Sequence, residues 1–228
     1  DEYVAEVEIA NNIERNALQM MYANRGYVFT FDDSFFETGQ EFGSEVEGYL
    51  NEAEALSQQY PGLTALAEQV VAARESMDRY DELLQNTEVR IDNIKSNRMT
   101  NDAAAANAVN AINTLLASQD RQMDAEINSD ASAAALQERQ FKMARVNDVI
   151  DIVNNARVAN FKAQLLNDPA SLDDAIASLN RIPGILAEVR QVTRLEQDLA
   201  DLDQVAESTT NYREAVEAIQ ADYTQLLQ

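Results

Sequence analysis

The sequence predicts an all-α fold of two four-helix bundles stacked end to end, with six helices, two long and four shorter. Three observations predict it. The 228 residues include only six glycines and three prolines, a composition that favours long helices and leaves few turns. Apolar residues recur at heptad spacing along most of the chain. The few breaks divide the chain into two broken legs and two unbroken ones, which a pair of stacked bundles accommodates.

The first leg is predicted to be broken once. A helical pattern runs from residue 2 to about residue 38, and the glycine-containing segment 39–43 interrupts it. A second helix is predicted over residues 44–59, and the Tyr-Pro-Gly turn at 60–62 closes it. These two helices are expected to continue in the same direction.

Two long helices form the unbroken legs. A heptad seam from residue 63 to residue 115 keeps its register and therefore predicts one helix. The register is lost between residues 118 and 132, which places the turn near 118, although Ser129-Asp130 is an equally good cap. A second seam runs from residue 136 to residue 160, and the helix is expected to end before Pro169.

The last leg is also predicted to be broken. Residues 171–181 form a short helix with Ser as N-cap, residues 181–184 break it, and a seam over 195–223 marks the final helix. Residues 2–60 and 171–228 are nearly equal in length, roughly 87 Å each at 1.5 Å per residue. Both ends of the chain are therefore expected at the same end of the stack.

Composition excludes several classes of function. With 17 Lys and Arg against 40 Asp and Glu, the net charge of -23 repels polyanions, so no nucleic-acid partner is expected. Histidine and cysteine do not occur, which removes the usual bases, thiol nucleophiles, zinc and haem ligands and disulfides. We therefore expect no enzyme, catalytic residue, metal or cofactor. The longest apolar runs, such as residues 103–106, are far shorter than the roughly 20 residues of a membrane span, and the chain is expected to be a soluble piece of a longer protein.

Four arginines are predicted to lie at one level of the stack. With a turn near residue 118, Arg98 and Arg139 lie equally far above it, and Arg15 and Arg213 lie at a similar level measured from the chain ends. Each of four helices therefore offers one guanidinium. The candidate ligand-binding residues at this level are Arg15, Arg98, Asn101, Arg139, Thr209 and Arg213. A second, distal group of candidates comprises Tyr49, Arg74, Arg157 and Arg181.

Two interpretations of the arginine level are open. Buried like charges without compensation would cost several kcal/mol per ion, so an anion must neutralise them. The first interpretation is internal pairing, for which the nearby acids are Glu14, Asp102, Glu138 and Glu214, or exposure of the arginines to solvent in a different register. The second is a pocket for a small carboxylate, because the guanidinium fork binds carboxylates bidentately.

The predicted layout resembles the periplasmic ligand-binding domains of bacterial methyl-accepting chemotaxis proteins, in their helical bimodular class, which some sensor histidine kinases share. The segments that map to the family's membrane-proximal site are Ile13-Glu14-Arg15-Asn16-Ala17-Leu18, Gln137-Glu138-Arg139-Gln140 and Tyr212-Arg213-Glu214. The resemblance implies that the proximal arginines bind a dicarboxylate such as malate or succinate, and that the distal bundle binds a smaller acid such as acetate. This chain has Leu18 where family members carry a second arginine.

The resemblance also implies an organisation and a mechanism. The proximal bundle would comprise residues 1–38, 88–144 and 186–228, and the distal bundle residues 43–87 and 145–185, as one bimodular domain. Such a domain lies in the periplasm, is anchored in the inner membrane through flanking segments, forms a homodimer and signals by helix displacement. The alternative is the sensor domain of a histidine kinase that recognises a partner protein, in which case the arginines are internal ion pairs.

Overall fold

The computed structural model describes residues 2–226 and confirms the all-α prediction, since these residues form helices joined by short turns. The chain divides into two compact units, residues 1–91 and 92–228, and one long helix contributes to both. None of the described helices combines the length and the hydropathy that crossing a bilayer requires. The helices are α1 Glu2–Thr30, α2 Asp33–Gln59, α3 Thr64–Asn128, α4 Ala133–Leu166, a 3₁₀ helix Pro169–Leu172, α5 Asp173–Leu179, α6 Ile182–Val192 and α7 Glu196–Leu226.

The turn between α1 and α2 lies at Phe31 and Asp32, so the predicted break at residues 39–43 is wrong. Phe31 adopts a left-handed conformation with φ 60°, which ends α1. The Asp32 side chain then accepts a hydrogen bond from the backbone N–H of Ser34 at 3.0 Å and caps α2. A capping aspartate therefore starts the second helix, and the glycines that suggested a break lie inside it.

Gly39 of α2 and Gly26 of α1 allow the two helices to approach closely as an antiparallel hairpin. A Cβ atom added at Gly39 would lie 2.0 Å from Asn24 Oδ1, and one added at Gly26 would lie 2.7 Å from the ring of Phe35. Gly39 faces Asn24 and Gly26 faces Phe35, so the residues of each contact lie at similar distances before and after the Phe31 turn, as in an antiparallel pair. The prediction that residues 2–60 form one continuing leg is therefore wrong.

Gly39→Ala is expected to lower the free energy of unfolding by about 1–3 kcal/mol, the usual cost of overpacking. The new methyl group would displace the Asn24 amide, which donates a hydrogen bond to the Tyr80 hydroxyl at 3.0 Å. Gly48→Ala is the control, because it lies in the same helix with no atom near the added Cβ, and it should stabilise by roughly 0.5–1 kcal/mol. Denaturant unfolding followed by circular dichroism measures both, and equal effects would contradict the packing role of Gly39.

The first part of α3 completes the unit of residues 1–91. Arg74 of α3 donates to Asn51 Oδ1 at 2.7 Å and pairs with Glu54 Oε2 at 3.0 Å, both on α2. This unit therefore contains three helical segments, each antiparallel to the next, whereas the sequence predicted a bundle of four helices. Its core contains Ala53, Leu63, Leu66 and Val70, with Ile9, Ile13, Leu56 and Tyr60 packed against them.

The unit of residues 92–228 is an antiparallel four-helix bundle. Its four legs are the second part of α3, then α4, then the 3₁₀ helix with α5 and α6, and finally α7. The Asn160 side chain of α4 donates to Asn101 of α3, and Gln220 of α7 donates to Asp173 of α5. Its fully buried apolar side chains include Ile94, Ile112, Leu115, Val146, Val153, Leu172, Val205 and Ile219.

The turns of this unit differ from those predicted. α3 continues to Asn128, so the turn near 118 is wrong and the alternative at Ser129-Asp130 is correct, with Asp130 at φ 52° and Ser132 capping α4. Loss of heptad register did not end the helix, and the chain turns only where Asp130 adopts a positive φ and Ser132 caps the next helix. The predicted break at residues 181–184 lies close to the observed one, since α5 ends at Leu179 and Pro183 lies in the first turn of α6. The chain reverses after Thr193, so the expectation that residues 171–228 form one leg is wrong. The units are divided at residue 91, so the predicted proximal and distal ranges do not correspond to them.

Candidate functional site

Arg15 and Arg98, two of the four predicted arginines, have unrelated surroundings. Arg15 lies on α1 in the unit of residues 1–91, is exposed and donates to Asn12 Oδ1 at 3.0 Å. Arg98 lies on α3 in the other unit, where it donates to the Tyr223 hydroxyl and its guanidinium carbon lies 5.6 Å from the centroid of the Tyr223 ring. That distance is typical of a cation–π contact, so an aromatic side chain of α7 holds this arginine.

Arg213 and Thr209 are engaged by their own surroundings on α7. Arg213 donates to Asn180 Oδ1 at 3.1 Å and lies 3.5 Å from a carboxylate oxygen of Glu214. Thr209 is buried, and its hydroxyl donates to the carbonyl of Val205 in the preceding turn at 2.8 Å. Neither side chain is directed at a shared site.

Arg139 is buried among acids of the protein itself. It is 6% exposed. It meets the Glu126 carboxylate with Nη2 2.6 Å from Oε1 and Nε 3.3 Å from Oε2. Its Nη1 lies 3.9 Å from Asp198 Oδ2 and donates to Gln119. Arg139 is therefore paired internally, but with Glu126 and Asp198 and with none of the four acids expected from the sequence.

The predicted arginine level does not form, because the turn after α3 lies at residues 129–132. Arg139 follows that turn closely and contacts Gln119. Arg98 lies roughly 30 Å from Gln119 along α3, at 1.5 Å per residue. The two arginines therefore lie toward opposite ends of the bundle.

The four distal candidates are also separated. Tyr49 and Arg74 lie in the unit of residues 1–91, where Arg74 pairs with Glu54 at 3.0 Å. Arg157 and Arg181 lie in the second unit and line two different pockets. Arg157 nevertheless lies beside Asn101, a candidate assigned to the other predicted site.

Two buried asparagines face each other across α3 and α4. Asn101 is 1% exposed and Asn160 is 2% exposed, and Asn160 Nδ2 donates to Asn101 Oδ1 at 2.9 Å. Among the described residues, Asn101 Nδ2 and Asn160 Oδ1 have no hydrogen-bond partner. Turning both amides over would exchange the two roles, and one donor and one acceptor would still lack partners. The pair therefore offers a buried N–H and a buried carbonyl at one point.

These asparagines line a pocket of about 250 Å³ in the second unit. Ala105 contributes an apolar wall, and the exposed side chain of Phe161 lies one turn beyond Arg157 on α4. Arg157 and Asp102, which are both exposed, bring opposite charges to the same pocket. Within residues 2–226, no hydrogen bond or ion pair joins either charge to another residue. The pocket thus combines two free charges with an unpaired donor and acceptor.

Tyr212 of α7 belongs to the same polar region. It is fully buried, and its hydroxyl has no hydrogen-bond partner in the part of the chain that the structure describes. Burial raises the pKa of the Tyr212 phenol, Arg157 opposes that shift and Asp102 adds to it. The phenol is therefore neutral at physiological pH and is a further donor close to both charges.

A larger groove lies in the unit of residues 1–91, with a volume of about 490 Å³. It is mostly apolar, and its Asn24 side chain already donates to Tyr80. Such a groove offers area but few directional groups, and directional polar groups are what orient a small ligand. The pocket of Asn101 and Asn160 is therefore the candidate functional site. The groove is lined by Leu18, Met21, Tyr22, Asn24, Arg25, Val28, Tyr80, Leu83, Leu84 and Thr87.

Sequence reasoning selected Asn101 and Arg157 but assigned them to different sites, and it did not select Asn160, Asp102, Phe161 or Tyr212 as binding residues. A signal for Asn160 was present, because it occupies a heptad seam position where a bundle favours an apolar residue. With the turn at residues 129–132, Asn101 and Asn160 are almost equally far from it along their helices. The correct turn would therefore have predicted their pairing.

No protein-family model matches the chain, and no curated protein or solved structure shows significant similarity to it. The resemblance to chemoreceptor sensor domains therefore stays a prediction.

Proposed function

We propose that this chain is a ligand-binding sensor domain, of the extracytoplasmic kind that the resemblance implies, and that it binds a small organic acid in the pocket of Asn101 and Asn160. One observation carries the proposal: an unpaired buried N–H and carbonyl lie in the same pocket as Arg157, whose guanidinium has no partner among residues 2–226. The arginine supplies the positive charge that a carboxylate needs, and the amides orient the ligand through hydrogen bonds.

The energetics of the pair favour a binding role. A buried donor or acceptor without a partner costs about 1–3 kcal/mol, and two apolar side chains would avoid that cost. Loss of stability of this kind is a recurrent cost of a functional site. A carboxylate ligand would accept from Asn101 Nδ2 and from Arg157, and it would recover hydrogen bonds that the protein alone does not make.

The position of the pocket suits a sensor. Its lining residues come from α3 and α4, and Tyr212 of α7 lies close to its charges. A ligand held there would contact helices of different legs. It would bind one relative arrangement of those helices more tightly than another. Differential affinity of this kind is what shifts a helix bundle between states, by displacements of roughly 1–2 Å.

The amide atoms are closed off from solvent, so a ligand reaches them only when side chains at the mouth move aside. Arg157 and Phe161 are suited to this, because both are exposed on the surface of α4. A pocket of about 250 Å³ is smaller than the ~300–1,000 Å³ of sites for drug-sized molecules. The ligand is therefore expected to have only a few non-hydrogen atoms.

Titration calorimetry and thermal unfolding with malate, succinate, citrate, fumarate, acetate and propionate test the proposal. A ligand at about one hundred times its dissociation constant should add roughly 2.7 kcal/mol to the free energy of unfolding. Arg157→Gln should weaken binding by about tenfold or more, because one charge-assisted contact is lost. Lys162→Gln is the control, since it removes the same charge from an exposed position on α4.

An organic-acid role would be contradicted if none of these acids changed the melting temperature or released heat at millimolar concentration. If Arg157→Gln and Lys162→Gln weakened binding equally, the chain would still be a binder of small acids, but the ligand would not lie in this pocket. Recognition of a partner protein, the rival expectation, gives the asparagine pair no role, so under that alternative small acids should have no effect on stability.

A further inference from the structure

We infer that the ligand of the Asn101 pocket is a zwitterion, a small α-amino acid that carries an ammonium group as well as a carboxylate. The inference rests on the proposed function and narrows its ligand class. It comes from the pocket's second charge: Asp102 lines the same pocket as Arg157, and no ion pair joins these two groups. Opposite charges that share a small pocket without pairing leave room for a molecule that pairs with both.

The unpaired amide atoms also suit a ligand that carries one negative and one positive group. Whichever way the two amides are turned, the pair offers one unpaired donor, which suits a carboxylate, and one unpaired acceptor, which suits an ammonium group. A dicarboxylate would satisfy the donor and the arginine. It would leave the Asn160 carbonyl unpaired and place a second negative charge near Asp102.

The net charge of the chain supports the same conclusion. At -23, the domain repels a dianion before it reaches the pocket, whereas a zwitterion with no net charge meets little long-range repulsion. The apolar part of the wall, formed by Ala105 and Phe161, adjoins the charged groups. In a pocket of about 250 Å³, it favours an amino acid with a small apolar side chain.

The test compares alanine, propionate and ethylamine, because propionate lacks only the ammonium group of alanine and ethylamine lacks only the carboxylate. Calorimetry with the whole chain should show alanine binding tightest, by about tenfold or more over propionate, the effect of one additional charge-assisted contact. Asp102→Asn should reduce the affinity for alanine to about that for propionate, while propionate should bind no more weakly than before, because the substitution removes a negative charge from the pocket. Asp120→Asn, an exposed aspartate on the same helix, should change neither.

Salt provides an independent measurement. Affinity for alanine should be nearly constant between low and high sodium chloride, whereas succinate, if it binds, should bind more tightly as salt screens its repulsion by the domain. A decrease of alanine affinity with salt as steep as that of a simple ion pair would contradict the zwitterion.

The outcomes distinguish a failure of the zwitterion inference from a failure of the proposed function. If propionate binds as tightly as alanine and Asp102→Asn has no effect, the zwitterion inference is overturned while the organic-acid site stands. If alanine, propionate and the dicarboxylates all fail to bind, the proposed function itself is wrong. Alanine binding that is lost in Arg157→Gln and weakened in Asp102→Asn supports both.

Discussion

The double substitution Asn101→Leu and Asn160→Leu is expected to raise the free energy of unfolding by about 2 kcal/mol and to abolish ligand binding. Leucine has the branched shape of asparagine, and both residues are almost completely buried. Replacing both partners removes the cost of one unpaired donor and one unpaired acceptor, each about 1–3 kcal/mol. Denaturant unfolding measures the stability, and calorimetry with the acids and alanine measures the binding.

A single substitution is expected to lower the free energy of unfolding instead of raising it. Asn160→Leu alone leaves Asn101 without its one hydrogen bond, so it should destabilise the protein by roughly 1–3 kcal/mol. Asn113→Leu with Asn155→Leu is the matched control, because both lie on exposed faces of α3 and α4. A double variant that is less stable than the natural chain would show that the amide pair is a structural contact.

Arg139→Met is expected to destabilise the second unit by about 3–5 kcal/mol, the usual result of removing one partner from a buried ion pair. Asp198 would keep its negative charge at 2% exposure, with hydrogen bonds from Ser118 at 3.0 Å and Gln122 at 2.8 Å but no cation beside it. Arg145→Met is the control: this arginine is 40% exposed and pairs with Asp148 at 2.8 Å. An exposed pair contributes about 0–1 kcal/mol.

A rescue variant identifies the cause. Adding Asp198→Asn to Arg139→Met removes both buried charges and should restore part of the lost stability, because no buried carboxylate is left without a cation. The ion-pair explanation would be wrong if Arg139→Met were as mild as Arg145→Met, or if the second substitution made the protein less stable still. Thermal and denaturant unfolding of the natural chain and the three variants decide between these results.

Acid should weaken the same end of the bundle. Lys142 is 4% exposed and lies 2.6 Å from Glu138, and the hydrogen bond from Lys142 lowers the pKa of the Glu138 carboxyl. A carboxyl whose pKa is lower in the folded state stabilises the fold above its unfolded pKa, and this contribution is lost as pH falls through the folded pKa. Glu138 is half exposed, so its share of the effect is small.

The helices themselves were largely predictable. The unbroken seam from residue 63 predicted a long helix through the polar segment 98–102, and α3 confirms it. The breaks were harder, because glycine has two different uses. Gly39 suggested a turn, yet the structure uses it for close packing against Asn24, while the turn depends on the capping Asp32 seven residues earlier.

The candidate site shows how one turn controls what sequence reasoning can find. Asn101 and Arg157 were both selected, but with a turn near residue 118 they belong to opposite bundles. The turn at residues 129–132 brings them into one pocket. It also separates Arg98 from Arg139, so that each has an internal partner.

The sequence by itself determined that this chain is helical, strongly acidic and without the side chains of histidine or cysteine chemistry, because periodicity, propensity and composition are properties of local sequence. Only the tertiary structure decided which polar side chains meet. A helix advances 1.5 Å per residue, and a turn misplaced by about ten residues changes the partner that faces each residue by about twenty positions, or roughly 30 Å. That distance exceeds the reach of a hydrogen bond several times over, which is why helices could be predicted from the sequence while the Asn101 pocket could not.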